Sequence, residues 1–90
     1  MAINFKVLEK IIKGVANHWR LRTLFLLYEE PNISLIDIAS KLDGNFKTIS
    51  EHTKKLYQSG LIEKRYKGQI VLHSISVLGD RLLSYLKKVV

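Results

Sequence analysis

The stretch SLIDIASKLDGNFKTISEHTKKLYQSGLIEKRYKGQIVLH, Ser34 to His73, decides how this 90-residue chain folds. It opens with Ser34 and, three residues on, Asp37, the pattern of a capped helix start in which the serine oxygen accepts from free backbone amides. A short helix to Leu42 follows, burying Ile38, Ala39 and Leu42, and Asp43-Gly44 turns the chain. Asn45 is a good N-cap for a second helix reaching Ser59, and Gly60 stands where a left-handed C-cap residue is expected. Two runs, Leu61 to Tyr66 and Gln69 to Ile75, are rich in β-branched, aromatic and long apolar residues. Lys67-Gly68 separates them, which predicts a hairpin.

Upstream, Ile3, Val7, Leu8, Ile11, Ile12 and Val15 recur at helical spacing over an unusually broad apolar arc. Gly14 weakens that helix near its end. A second helix from about His18 to Glu29 carries Leu21, Leu24, Phe25 and Tyr28 on one face, with Trp19 and Leu26 opposite. Glu30-Pro31-Asn32 stops it, because proline disfavours helical geometry in the residue before it. Downstream, Ser76 can cap a last helix through Lys88, with Leu78, Leu82, Leu86 and Val89 at helical spacing and Leu83 and Val90 alongside. The order helix, helix, helix, helix, hairpin, helix is mainly α with a small β-hairpin. It predicts a winged helix-turn-helix in a single domain, 1–90, with the helix-turn-helix over 34–59 and the wing over 61–75.

Ninety residues suffice for one core, which excludes most enzymes that need a cofactor domain. There is no cysteine, so neither a disulfide framework nor a thiolate metal site can form. The longest apolar run, Leu24 to Tyr28, is too short to span a bilayer, and the amino terminus lacks a signal-peptide cleavage pattern, so a cytoplasmic location is expected. His18, His52 and His73 stand far apart, without the short spacings of metal sites or of nucleophile and base pairs. No metal, cofactor or catalytic constellation is implied, and the expectation is a protein that is not an enzyme.

The net charge of +7 favours an anionic partner. Residues 45–75 hold six cations, Lys47, Lys54, Lys55, Lys64, Arg65 and Lys67, against Glu51 and Glu63. A helical wheel sharpens this. With Ile49 pointing inward, steps of 100° place Thr53, Leu56 and Gly60 within about 40° of it. Lys47, Glu51, Lys54 and Gln58 then point outward, flanked by Thr48, Ser50 and Lys55. Such a polar, basic helix face fits the major groove of double-stranded DNA. Because the amino-terminal half of a recognition helix enters deepest, Lys47, Thr48 and Glu51 are expected at base edges and Lys54 and Lys55 at phosphates. The hairpin adds Lys64, Arg65, Lys67 and Gln69 as a basic wing for the backbone or the minor groove. Phe46 lies about 60° from Ile49, so packing is favoured over contact with a thymine methyl.

Several runs resemble the ArsR-type winged-helix regulators, the archaeal ones in particular. They are Trp19-Arg20-Leu21-Arg22-Thr23-Leu24, Ile38-Ala39 with Leu42, Asn45-Phe46-Lys47-Thr48-Ile49-Ser50-Glu51-His52, then Leu56 and Ser59-Gly60-Leu61-Ile62. The resemblance spans roughly residues 15 to 76. It implies a homodimer on a near-palindromic operator, joined through the first and last helices, and it adds Asn45 and His52 to the candidate DNA-binding set. For His52, which holds the family's Ser-x-His position, phosphate contact and structural packing both stand open. Thr53 departs from the pattern, standing where a leucine is usual. Many relatives sense metals through cysteines or through paired carboxylates and histidines on the last helix. Here that helix offers only Asp80, so no metal sensing is expected.

The apolar first and last helices exceed what a 90-residue monomer covers, which independently points to a two-fold dimer. The expected interface comprises Ile3, Val7, Leu8, Ile11, Ile12, Trp19, Leu82, Leu83, Leu86 and Val89 on dimerisation segments 1–15 and 77–90 and the start of the second helix. The alternative is a winged-helix protein-interaction module without sequence-specific DNA binding, since a fold does not dictate function. A neutral or apolar outward face would suit that alternative, and this one is basic. RNA is disfavoured because the A-form major groove is too narrow for a helix.

Overall fold

The computed structural model describes residues 2–90. Each of its five helices starts at an Asn or Ser whose side-chain oxygen accepts from an otherwise unpaired backbone amide. Asn4 caps α1 (Phe5–Val15), Asn17 caps α2 (His18–Glu29), Ser34 caps α3 (Leu35–Lys41), Asn45 caps α4 (Phe46–Gln58) and Ser76 caps α5 (Val77–Val89). A cap of this kind contributes about 1 kcal/mol. Three of the five were visible from sequence; Asn4 and Asn17 were not.

Strands β2 (Ile62–Lys67) and β3 (Ile70–Ile75) form the hairpin. Its turn is Gly68-Gln69, one residue later than expected, and Lys67 pairs with Ile70 in the ladder. Gly68 at φ +63° supplies the positive φ that a two-residue hairpin turn requires at its first position. A third strand was not foreseen. After Pro31 the chain passes through Asn32 at φ +60° and enters β1 (Ile33–Ser34), which pairs antiparallel with β3 through Ile33 opposite His73. The sheet order is therefore β1-β3-β2. Two residues carry no periodic signal, so only the pairing reveals β1.

The core is built from Leu24 and Leu27 of α2, Ile38 of α3, Ile49 and Leu56 of α4, Leu61, and Leu83 of α5, all fully buried. Helix α2 is the hub, packing on α1, α4, α5 and β3. Trp19, Leu21, Phe25, Leu26 and Tyr28 ring it half-buried around Thr23, Leu24 and Leu27, and only a narrow line of His18, Arg22 and Glu29 is exposed. Two buried threonines are satisfied within their own helices. Thr23 donates to the Trp19 carbonyl at 2.8 Å and Thr53 to the Ile49 carbonyl at 2.7 Å. Thr53 thus takes the usual leucine position without leaving a polar atom unpaired.

Leu83 requires a correction. It was expected at a dimer interface, but it is fully enclosed by its own chain and has no surface to offer. Gly79, one turn earlier in α5, lets the helix descend onto the loop ahead of β2. A Cβ there would lie 2.2 Å from the Leu61 carbonyl oxygen and 2.8 Å from a methylene of Ile75. Gly79→Ala should therefore cost about 2 kcal/mol by overpacking and lower Tm by about 10 °C in a domain of this size. Thermal unfolding followed by circular dichroism checks this.

Candidate nucleic-acid interface

The inward strip of α4 is Ile49, Thr53 and Leu56, as the wheel requires, and it sets the rotation of the helix. Lys47, Thr48, Glu51, Lys54, Lys55 and Gln58 are all exposed. Asn45 is exposed too, but its Oδ1 is occupied by the Thr48 amide at 3.1 Å, leaving only the amide nitrogen free. Ser50 is half-buried. It turns sideways into a cleft of about 200 Å³ shared with Leu35, Lys54, Lys64 and His73.

His52 is committed inside the chain. Its Nδ1 accepts from Arg20 Nε at 3.3 Å, while Arg20 Nη1 donates to the carbonyls of Lys13 at 2.8 Å and Gly14 at 3.3 Å. One guanidinium thus joins the end of α1 to the flank of α4. Burial, then the charges of Arg20 and Lys55, hold the His52 imidazole below its ordinary value, so the neutral acceptor form is favoured. His73 is buried and lowered chiefly by burial, with its Nδ1 3.3 Å from the Ile33 carbonyl. That contact ties β1 to β3.

The wing cations do not form one surface. Successive side chains of a strand alternate between faces, so Lys64 and Arg65 point to opposite sides. Lys64 turns toward α4 and sits 4.2 Å above the Tyr57 ring. Arg65, Lys67 and Gln69 are exposed. The structure also adds residues that sequence patterning missed. Lys10 and Lys13 of α1 line an open cleft of about 510 Å³ together with Glu9, Arg20, Lys55 and Gln58; Glu9 lies 3.7 Å from Lys13, and the cations outnumber it, which extends the basic surface of α4 onto the first helix. Their i, i+3 spacing signalled only a solvated helix face. Phe46 also departs from expectation. It is 52% exposed at the first turn of α4 rather than packed, because the inward direction there is already filled by Ile49.

A second surface is apolar. Ile3, Val7, Leu8 and Ile12 of the first helix and its approach are exposed, with Val89 of α5, and Phe5 and Tyr85 join them. Ile11, Leu82 and Leu86 are half-buried. A groove of about 330 Å³ lined by Val15, Leu21, Phe25, Leu86, Val89 and Val90 continues this face. Trp19 does not belong to it. It packs beside Gly44 in the turn between α3 and α4, with the Arg22 guanidinium 5.1 Å over its ring. Among the described residues no helix is long and apolar enough to cross a membrane, and no three His, Asp or Glu side chains gather as a metal site.

The helices, turn and three-stranded sheet define a winged helix-turn-helix protein. Residues 17–67, more than half of the chain, match the MarR family, and the chain belongs to that family. Among solved structures it is similar to the homodimeric winged helix-turn-helix DNA-binding domain of Mb0332 from Mycobacterium bovis, a possible ArsR-family transcriptional regulator. The two are 27% identical at a TM-score of 0.85, over 94% of this chain and 79% of that one. Rv0081 of M. tuberculosis is 25% identical at a TM-score of 0.81, over 94% and 86% of the respective chains. HlyU from Vibrio cholerae shares the fold, at 24% identity and a TM-score of 0.85 over 99% and 97%.

Two histidines held below their ordinary value near 6.5 make stability depend on pH. A lowered folded-state value means that their contribution is complete above about pH 6.5 and is lost as pH falls through the folded-state values. Tm should drop between about pH 7 and pH 5. His52→Gln, whose amide oxygen can still accept from Arg20, should flatten part of that drop and leave the share due to His73. Calorimetry across the pH range measures both.

Proposed function

We propose that this MarR-family chain, similar in structure to a possible ArsR-family regulator, is a homodimeric transcriptional regulator that binds double-stranded DNA sequence-specifically, with α4 in the major groove and the wing on the backbone or in the minor groove. The outward line of α4 carries this proposal: Lys47, Glu51, Lys54 and Gln58 are exposed opposite the buried Ile49, Thr53 and Leu56. A helix with hydrogen-bonding and basic groups on one side suits a groove whose base edges present donors and acceptors. Lys47 donates to guanine O6 and N7, Thr48 bonds a base or meets a thymine methyl, and Glu51 accepts from cytosine N4. Lys54 and Lys55 neutralise phosphates, and Arg65 and Lys67 do so from the wing. Lys10 and Lys13 extend the same field. His52 acts as a positioning residue through Arg20, in place of a direct phosphate contact.

The apolar face of α1 and α5 supports the dimer. Exposed apolar side chains on α1 and α5, which both pack on α2, form a surface of the kind that a second copy covers, most simply across a two-fold axis. Two recognition helices would then address half-sites about ten base pairs, or 34 Å, apart.

Two measurements test these points. If each subunit neutralises about four phosphates, log K should fall against log salt with a slope near −7. Lys54→Ala with Lys55→Ala should flatten that slope by about 3 to 4 in the dimer; an unchanged slope would remove both lysines from the interface. Placing a charge on the apolar face by Ile12→Glu should turn the sedimenting species from dimer to monomer and weaken binding to a two-half-site duplex by at least about tenfold, while a variant that stays dimeric would move the interface elsewhere.

A further inference from the structure

A second apolar patch lies far along the chain from the α1 and α5 face, beside the recognition helix. Phe46 at the start of α4 is 52% exposed, Ile36 at the start of α3 is 69% exposed and Tyr66 of the wing is 72% exposed. Three different elements bring these side chains around one open depression of about 450 Å³, with Lys64 on its rim. The core does not need them, since α3 and α4 are already anchored by Ile38, Ile49 and Leu56. A large aromatic ring left in water loses on the order of 2 kcal/mol against a buried one. An apolar cluster in this position therefore has something to meet.

The surroundings narrow what that is. The depression shares the first turn of α4 with Lys47 and Thr48, both exposed, and the amino-terminal turn of a recognition helix goes deepest into the major groove. Base edges there are polar with one exception, the C5-methyl group of thymine. Lys64, the one lysine lining the depression, adds a positive charge beside which a strand of phosphates can pass.

We infer that Phe46, flanked by Ile36, is a specificity-determining residue that reads a thymine C5-methyl group in each half-site. The inference rests on the DNA-binding proposal above and adds one element of the sequence read. Thr48, on the opposite flank of α4 from Phe46, leaves that methyl to the phenyl ring. Tyr66 closes the depression from the wing.

Duplexes enriched from a random pool provide the substrate, and each thymine in turn is replaced by deoxyuridine, which removes the methyl and keeps the pairing edge. For the wild-type dimer, one T·A pair per half-site should lose about fourfold in affinity on this change, the scale of burying one methyl, and about sixteenfold when both half-sites are changed. For Phe46→Ala the thymine and deoxyuridine duplexes should bind alike at that pair. Because Phe46 is half-exposed and outside the core, the variant should unfold at the wild-type temperature, and Phe46→Leu should keep part of the discrimination. Wild-type binding that ignores deoxyuridine at every position would overturn the inference. Discrimination that survives Phe46→Ala would equally remove Phe46 as the reader, with DNA binding itself intact. If no duplex is enriched or retained by the wild type, the DNA-binding proposal falls, and this inference falls with it.

Discussion

Burial of Ile49, Thr53 and Leu56 along one side of α4 is the constraint on which the rest of the interface depends. Enclosing Ile49 and Leu56 contributes about 1.5–3 kcal/mol each, and the Thr53 hydroxyl is satisfied by the Ile49 carbonyl at 2.7 Å. Rotating the helix by a single residue, 100°, would trade Ile49 for Ser50 or Thr48 in the core. The outward line of Lys47, Glu51, Lys54 and Gln58 is thus held by packing on its reverse side. Specific contacts need side chains that start from a known direction, and the core supplies that direction.

Arg20 adds a second restraint. Its guanidinium uses Nη1 to satisfy two carbonyls at the end of α1, and its Nε meets His52 on α4. Those carbonyls would otherwise lack intrahelical partners. The helix carrying much of the exposed apolar face is in this way joined directly to the helix carrying the polar one. In a dimer closed through α1 and α5, the spacing and tilt of the two α4 helices would pass through this contact. Burial first, then the Arg20 cation, holds the His52 imidazole below its ordinary value, in the neutral form that accepts from Arg20.

The wing illustrates how strand geometry divides residues that look equivalent in sequence. Lys64, Arg65 and Lys67 fall within four positions, yet the two-residue period sends Lys64 onto the Tyr57 ring and leaves Arg65 facing the other way. The hairpin is steadied on its far side by β1, whose Ile33 and Ser34 pair with His73 and Leu72. Asn32 and Ser74 reinforce the join, with the Ser74 hydroxyl donating to Asn32 Oδ1 at 2.9 Å and accepting from the Asn32 amide at 3.0 Å. Strand β3 is thus paired on both of its edges, and it holds β2, the free edge strand that presents Arg65 and Lys67.

Local chemistry wrote much of this protein into its sequence. Ser34, Asn45 and Ser76 announced three helix starts, Gly60 at φ +76° ended α4, and helical periodicity selected Ile49, Thr53 and Leu56 as the inward strip. These features act over one or two turns, so they are legible without knowing what lies across the core. What packs against what was decided only by the tertiary structure. Leu83 lies alongside the apolar stripe of α5, yet the helix descends at Gly79 and encloses it. Phe46 lies close to the inward direction, yet Ile49 takes the available volume and leaves the ring in solvent. Arg20 and His52, 32 residues apart, and the two-residue strand β1 depend on partners distant in the chain. Periodicity names the face of a helix, and only the assembled neighbours determine how much of that face is covered.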